Sequence, residues 1–326
     1  MAIDGQIWGS YRFADLPTFP SILSLFVSRC IPVKNPVKNQ VSYGILLTIF
    51  AYMMFTAHDA TIKLLVVTIP VWQILFFRSV TILTGCFIFE GPSLVAKTIR
   101  SPIIKPMIIR SILLLVAWIS YYSAASYLQL AEVTTLYYAA PVVGTILATI
   151  ILHERVTWPR WTAVGLGFCG VVIASNPIGL RISWPVYLAL QAAVIWASAM
   201  VLLRKTALHE KSLIQMAISN VLFILMTATM MVLHWKTPTM HELILLSMIG
   251  VIAGIGQFAL FEGMRQAPVS VLAPFEYTSL VWAFMLGYAI WGDIPKTNVF
   301  IGAVLILSAG GIIILSERLK RSRATA

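Results

Sequence analysis

Residues 131–152 read AEVTTLYYAAPVVGTILATIIL, and residues 267–291 read APVSVLAPFEYTSLVWAFMLGYAIW. The two stretches open alike, and each carries a proline inside a long apolar run, Pro141 in the first and Pro274 in the second. An interior proline breaks a helix in water, but in a membrane neighbouring helices can satisfy the freed carbonyls. Each run is followed by a short acidic turn, His153-Glu154-Arg155 or Gly292-Asp293-Ile294. A glycine-rich helix then follows, with Gly165, Gly167 and Gly170 in one copy and Gly302, Gly310 and Gly311 in the other. The copies start 136 residues apart, and the offset drifts to about 140 by their ends, so the chain contains one long internal repeat with a few insertions.

Working outward from the repeat, the whole chain reads as membrane-embedded. Apolar residues make up 59% of it and charged residues 11%, against roughly 25% charged in soluble proteins. So few charges could not cover a soluble surface. A membrane helix needs about 20 mostly apolar residues to cross a hydrocarbon core about 30 Å thick. Ten such runs are present, at 42–66, 71–90, 107–127, 132–152, 160–176, 184–203, 213–234, 242–262, 268–291 and 298–316. Runs of this length exclude β-barrel strands, which are shorter and alternate in polarity. Cys30, Cys86 and Cys169 are isolated, with no CxxC spacing, so neither a disulfide framework nor a zinc site is expected.

The 23 Lys and Arg residues fix the expected orientation. Eighteen of them fall in segments on one side of the ten runs: residues 1–40, the stretch 97–110, Arg155 and Arg160, the stretch 204–211, Arg265, and the last nine residues. Only Lys63, Arg181, Lys236 and Lys296 fall on the other, and Arg78 lies inside a run. Both termini are therefore expected in the cytoplasm of a bacterium, the protein being multi-pass in the inner membrane. The same distribution accounts for the net charge of +11 without nucleic acid. Residues 1–40 hold Pro17, Pro20, Pro32 and Pro36 and one short apolar stretch. They read as a cytoplasmic extension or as the product of a start codon assigned too far upstream. The remaining divisions are a first module at 41–176, a second at 177–316, and a basic cytoplasmic tail at 317–326.

Five runs per half is an odd number, so the halves enter the membrane from opposite sides. Inverted repeats place a site at their interface near the midplane and permit alternating access. Three groups of residues also carry a family resemblance: Tyr127-Leu-Gln-Leu-Ala-Glu-Val-Thr-Thr-Leu-Tyr-Tyr-Ala-Ala-Pro-Val-Val with Trp161-Thr-Ala-Val-Gly; Ala267-Pro-Val-Ser-Val-Leu-Ala-Pro-Phe-Glu-Tyr-Thr with Gly292-Asp293; and Asp59-Ala-Thr-Ile-Lys63 with Phe76-Phe-Arg78. Over residues 42–316 the chain resembles the EamA module of the drug/metabolite transporter superfamily. The fold so implied is an all-α polytopic membrane protein, ten transmembrane helices as two inverted five-helix EamA repeats. The resemblance implies a secondary carrier of a small organic metabolite. The Asp59/Lys63, Phe76/Arg78 and Pro274–Tyr277 combination is similar to bacterial carriers of S-adenosylmethionine or riboflavin, while amino-acid exporters share much of the pattern.

Polar groups in hydrocarbon are costly, so each needs a partner or a wet cavity. Arg78 lies eight residues after Pro70, about 12 Å below the surface and close to the midplane. It reads either as a fixed cation for a substrate carboxylate or phosphate, or as the ion-pair partner of Asp59. Asp59 and Lys63 are one turn apart and can also bridge each other. Glu276 lies eight residues into the ninth run, at a matching depth from the other side. It reads as a substrate- or proton-binding carboxylate, with closure of the gap at Pro274 as the structural alternative. Tyr277, Trp282, Tyr137 and Tyr138 are candidate cavity walls, and aromatic residues serve equally as packing. Gly250 and Gly254 form GxxxG, a close helix contact.

The expected substrate-binding set is therefore Arg78, Glu276, Tyr277, Tyr138, Trp282 and Asp59, with helix breaks at Pro141 and Pro274. No catalytic residue, metal or cofactor is expected, because no P-loop, GxSxG or metal-spaced cluster occurs. His209-Glu210 and His241-Glu242 lack the second histidine of a zinc-protease motif. Expected partners are a small-molecule substrate and the lipid bilayer, with homodimer formation left open. Transport would be driven by the substrate gradient, by proton exchange through Glu276 or by counter-exchange. The reading of a different class is a non-transporting membrane binding or scaffold protein whose charges hold helices together.

Overall fold

The computed structural model describes residues 40–65, 68–125, 127, 136–175, 183–292 and 297–325. The regular structure among them is helical: α1 (Val41–Leu65), α2 (Val71–Glu90), α3 (Ser93–Ile99), α4 (Ile104–Ala125), α5 (Ala140–Ile151), α6 (Trp158–Ser175), α7 (Trp184–Ala207), α8 (Ser212–Leu233) and α9 (Met240–Gln266). After these come α10 (Val269–Leu272), a 3-10 turn (Ala273–Tyr277), α11 (Thr278–Trp291) and α12 (Thr297–Thr325).

Among the described residues, 8 helices or helix runs are long and apolar enough to cross a membrane. These are α1, α2, α4, α7, α8, α9, the α10–α11 run and α12. The run at 132–152 contains α5, a shorter apolar helix of 12 residues, and residues 132–135 lie outside the described ones. The run at 160–176 is α6, of 18 residues. Residues 1–39, the side chain of Lys63, and Asp293 also lie outside the described residues.

Two elements depart from the sequence pattern. The short helix α3 follows Pro92, and Leu94 is buried beneath it. Helix α12 runs through Glu317 and Arg318 to Thr325 instead of ending where its apolar face ends. Glu, Arg, Lys and Ala are good helix formers, and no Gly or Pro interrupts them there. The start of α9 has a local cause: Thr239 and Glu242 form a capping box, with Glu242 N–H donating to Thr239 Oγ1 at 3.3 Å and Thr239 N–H to Glu242 Oε2 at 2.7 Å.

The packing carries the symmetry of the repeat. The most extensive contacts join α6 to α12, α1 to α9, α4 to α7, and α2 to α8. Exchanging α1 for α7, α2 for α8, α4 for α9, and α6 for α12 maps this set onto itself. The pair α5–α7 maps onto α11–α1 in the same way. Related helices run in opposite directions. Gln73 at the start of α2 donates to the carbonyl of Lys236 just beyond α8 at 2.8 Å, whereas Glu90 at the end of α2 reaches Lys211 just before α8 at 3.3 Å. Asn298 at the start of α12 donates to the carbonyl of Ile173 near the end of α6, and Glu317 near the other end of α12 pairs with Arg160 near the start of α6.

Small residues set the closeness of these contacts. A Cβ on Gly250 would lie 2.3 Å from Thr81 Cβ, and one on Gly170 would lie 2.8 Å from the Gly302 carbonyl. The GxxxG of α9 is thus a tight seat for α2, in keeping with the van der Waals packing that drives helix association in lipid.

Candidate substrate site

The breaks at Pro141 and Pro274 meet at the interface between the halves. Pro141 stands in the first turn of α5, where its missing N–H costs nothing. Pro274 falls in the 3-10 turn between α10 and α11. Two carbonyls of this turn accept from side-chain hydroxyls. Thr278 Oγ1 donates to the Phe275 carbonyl at 2.6 Å, and Ser279 Oγ donates to the Glu276 carbonyl at 2.6 Å. Tyr138 Oη bonds Ser279 Oγ at 2.6 Å. Ser279 has one proton and has spent it, so Tyr138 is the donor. Hydroxyls from the start of α11 thus brace the turn that carries Glu276.

That side chain is buried, 6% exposed, beside a small cavity between the halves. Tyr52, Pro141, Gly144, Trp196, Met200 and Leu272 line it together with Glu276, so both breaks contribute. The Tyr52 side chain stands beside the Glu276 carboxyl. Trp196 turns its indole N–H toward the same group but completes no bond of ordinary geometry.

Arg78 is buried to the same degree, 5% exposed, and does not line this cavity. Its guanidinium lies over the Trp118 ring, 4.7 Å from the centroid. Its charge also acts on His58, which in turn bonds Asp59 through Nδ1 at 2.9 Å. The Asp59 side chain is 72% exposed. Arg78 stands beside His58, and Glu276 beside Tyr52, six residues earlier on α1; the two layers are therefore about 9 Å apart along that helix.

Aromatic rings span the gap. From Trp118 the path passes one turn along α4 to Tyr121, whose ring centroid lies 5.0 Å from that of Tyr137. Tyr137 contacts Trp196 at 6.1 Å and Tyr138 at 6.3 Å.

The other expected wall residues divide. Tyr138 joins this chain of rings. Tyr277 is fully buried and extends the chain, its ring centroid 5.9 Å from that of Tyr138; it packs with Val171, Leu280 and Ile306, against Gly167. Glu276 and Tyr277 are neighbours in a tight 3-10 turn, so their side chains leave in different directions. Trp282 is half-buried, and its covered indole N–H has no hydrogen-bond partner among the described residues. The sequence singled out neither His58 nor Tyr52. Trp196, within the run 184–203, could from its sequence either line a cavity or simply pack. Tyr52 and Trp196 are common residue types in apolar helices, and only the meeting of α1, α7 and the Pro274 turn sets them apart. His58, an ionisable residue inside the first run, was by contrast a signal the sequence offered.

Both halves match one family model, described as the EamA-like transporter family, over residues 42–176 and again over 183–316. The chain belongs to the EamA-like transporter family. It is similar to a protein of Rickettsia bellii named S-adenosylmethionine uptake transporter, at 26% identity over 89% of this chain and 99% of that one. A Rickettsia prowazekii protein of the same name is 25% identical over 84% of this chain and 93% of its own. A Pseudomonas aeruginosa protein named pseudopaline exporter CntI is also 25% identical, over 84% of this chain and 96% of its own. A solved structure at 19% identity superposes with a TM-score of 0.73 over 85% of this chain and 98% of that chain, and shares the fold. The chain is thus an all-helical, multi-pass membrane protein of the drug/metabolite transporter superfamily, built of two EamA repeats.

Proposed function

We propose that this protein carries a small organic zwitterion across the bacterial inner membrane by alternating access. It has ten spans, as two inverted five-helix modules, with both termini in the cytoplasm. In this reading α5 with the residues before it is the fourth span and α6 is the fifth. The observation that carries the proposal is the pair of buried, opposite charges, Arg78 among helices of the first half and Glu276 at the interface of the halves, with a chain of aromatic rings between them. Arg78 would take a carboxylate as a charge-assisted bond. Glu276 would take a cation, which Trp196 and Tyr52 would flank by cation–π contact. The rings fill the space between the two charges here, so binding requires them to part.

S-adenosylmethionine is the substrate this chemistry fits best. It offers a carboxylate for Arg78, a permanent sulfonium or an ammonium for Glu276, and a flat base for the tyrosines. The names of the Rickettsia relatives support the same choice and favour import. Riboflavin offers a flat ring system but no cation for Glu276. The test is uptake of labelled S-adenosylmethionine into liposomes holding the purified protein, competed with unlabelled S-adenosylmethionine, riboflavin and amino acids. Saturable uptake blocked by the first competitor alone is expected. Absence of saturable uptake of any of them removes the transporter reading in favour of a scaffold.

A further inference from the structure

The turn after α5 is built in an unusual way. His153 has φ 53°, a left-handed conformation that costs a non-glycine residue energy. This turn throws Glu154 across to the second half, where its carboxylate accepts from the Val269 N–H at 3.1 Å, the Ser270 N–H at 3.1 Å and the Ser270 hydroxyl at 2.6 Å. Helix α10 has no cap of its own, because Pro268 precedes it. Glu154 therefore supplies from the other half the acceptors that a helix start lacks. Arg160, at the head of α6, adds a bond to Ser270 Oγ at 2.9 Å and an ion pair to Glu317 of α12 at 3.0 Å. Every one of these links to α10 or α12 joins the first half to the second.

Their position matters because Val269, Leu272 and Ala273 line the cavity beside Glu276. Helix α10 lies between that cavity and the end of the molecule that carries Arg155, Arg160 and Glu317, the side read as cytoplasmic. A path from Glu276 to that side past α10 displaces it from the α5–α6 turn.

We infer that Glu154 is the inner latch of the transport cavity, and that opening toward the cytoplasm requires its carboxylate to release α10. The inference rests on the alternating-access reading. Release is inexpensive because Glu154 is only half-buried and water can replace its partners as the turn withdraws. The repeat places an acidic residue after a left-handed one twice, Glu154 after His153 and Asp293 after Gly292 at φ 71°.

The test places a single reporter cysteine, Ala273→Cys, in a chain whose Cys30, Cys86 and Cys169 have been replaced. A membrane-impermeant maleimide is applied to everted vesicles. Glu154→Gln should speed labelling about tenfold, corresponding to about 1.4 kcal/mol of lost closure. Ser270→Ala, which keeps both amide bonds, should speed it less, and Glu154→Asp should stay near the parent. Equal labelling rates in the parent and in monodisperse Glu154→Gln protein overturn the latch. If Glu154→Gln does not accumulate, Ser270→Ala decides alone, an unchanged rate counting against the latch. The labelling needs no substrate, so it is separable from the uptake test. A native protein without uptake but with a labelling response loses the transporter role and keeps the latch, whereas uptake with no response removes only the latch.

Discussion

Arg78 and Arg110 are both buried arginines in an apolar bundle, and their surroundings give them different tasks. Arg110 is fully buried and tied to neutral acceptors on α8: Gln215 Oε1 at 2.8 Å, the Gln215 carbonyl at 3.2 Å and Ser219 Oγ at 2.8 Å, with the Phe261 ring 4.7 Å from its Cζ. Replacing it by alanine leaves buried acceptors unsatisfied, and Arg110→Ala is expected to destabilise the solubilised protein by about 1–3 kcal/mol, read as a lower melting temperature. Arg78 stacks on Trp118, about 9 Å along α1 from the layer of Glu276. Arg78→Ala is expected to cut uptake by about 10- to 100-fold, the loss of one charge-assisted bond to substrate, in protein that still inserts and folds. Arg78→Lys keeps the charge but not the planar stack, and is expected to recover only part of the activity. Normal uptake by Arg78→Ala would return Arg78 to the scaffold. Arg78 was legible in the sequence because it is a lone cation deep in an apolar run. Arg110 was not, since it lies near a run's end and counts there as a loop charge until α8 is seen to cover it.

At the level of elements, proline and glycine did most of the sequence-readable work, for reasons of shape. Pro141 and Pro274 mark the two breaks that meet at the cavity, and the glycines mark where helices touch most closely. Gly250 sits against Thr81, whereas Gly165 has nothing within 4 Å of where a Cβ would be. Gly250→Ala is therefore expected to destabilise the α2–α9 pair by about 1–3 kcal/mol. Gly165→Ala should be neutral or slightly stabilising, since alanine is the better helix former by about 1 kcal/mol. Thermal unfolding of the two variants side by side checks the contrast, and equal melting temperatures would refute the close contact. The 3-10 geometry of Ala273–Tyr277 was beyond the sequence, and it is what turns Glu276 toward the cavity and Tyr277 away from it.

At the scale of the molecule, the duplicated chain folds so that equivalent helices oppose each other, α2 against α8 and α6 against α12. The charge distribution then makes a topological prediction. Single cysteines replacing Lys97 and Lys236 should label from opposite faces of the membrane, the first only in everted vesicles and the second only in intact cells. Labelling of both from one face would break the inverted-repeat reading. The sequence by itself determined the class of structure, the repeat, and the presence of an arginine and a glutamate at depth. These follow from the cost of polar groups in hydrocarbon and from the length needed to cross it, quantities that depend on residue order alone. Only the tertiary structure decided which groups surround those charges: His58 beside Arg78, Tyr52 and Trp196 beside Glu276, and Glu154 on the amides of α10. Each of these meetings joins segments far apart in the chain, and helix packing, which is set by side-chain shape on two surfaces at once, brings them together.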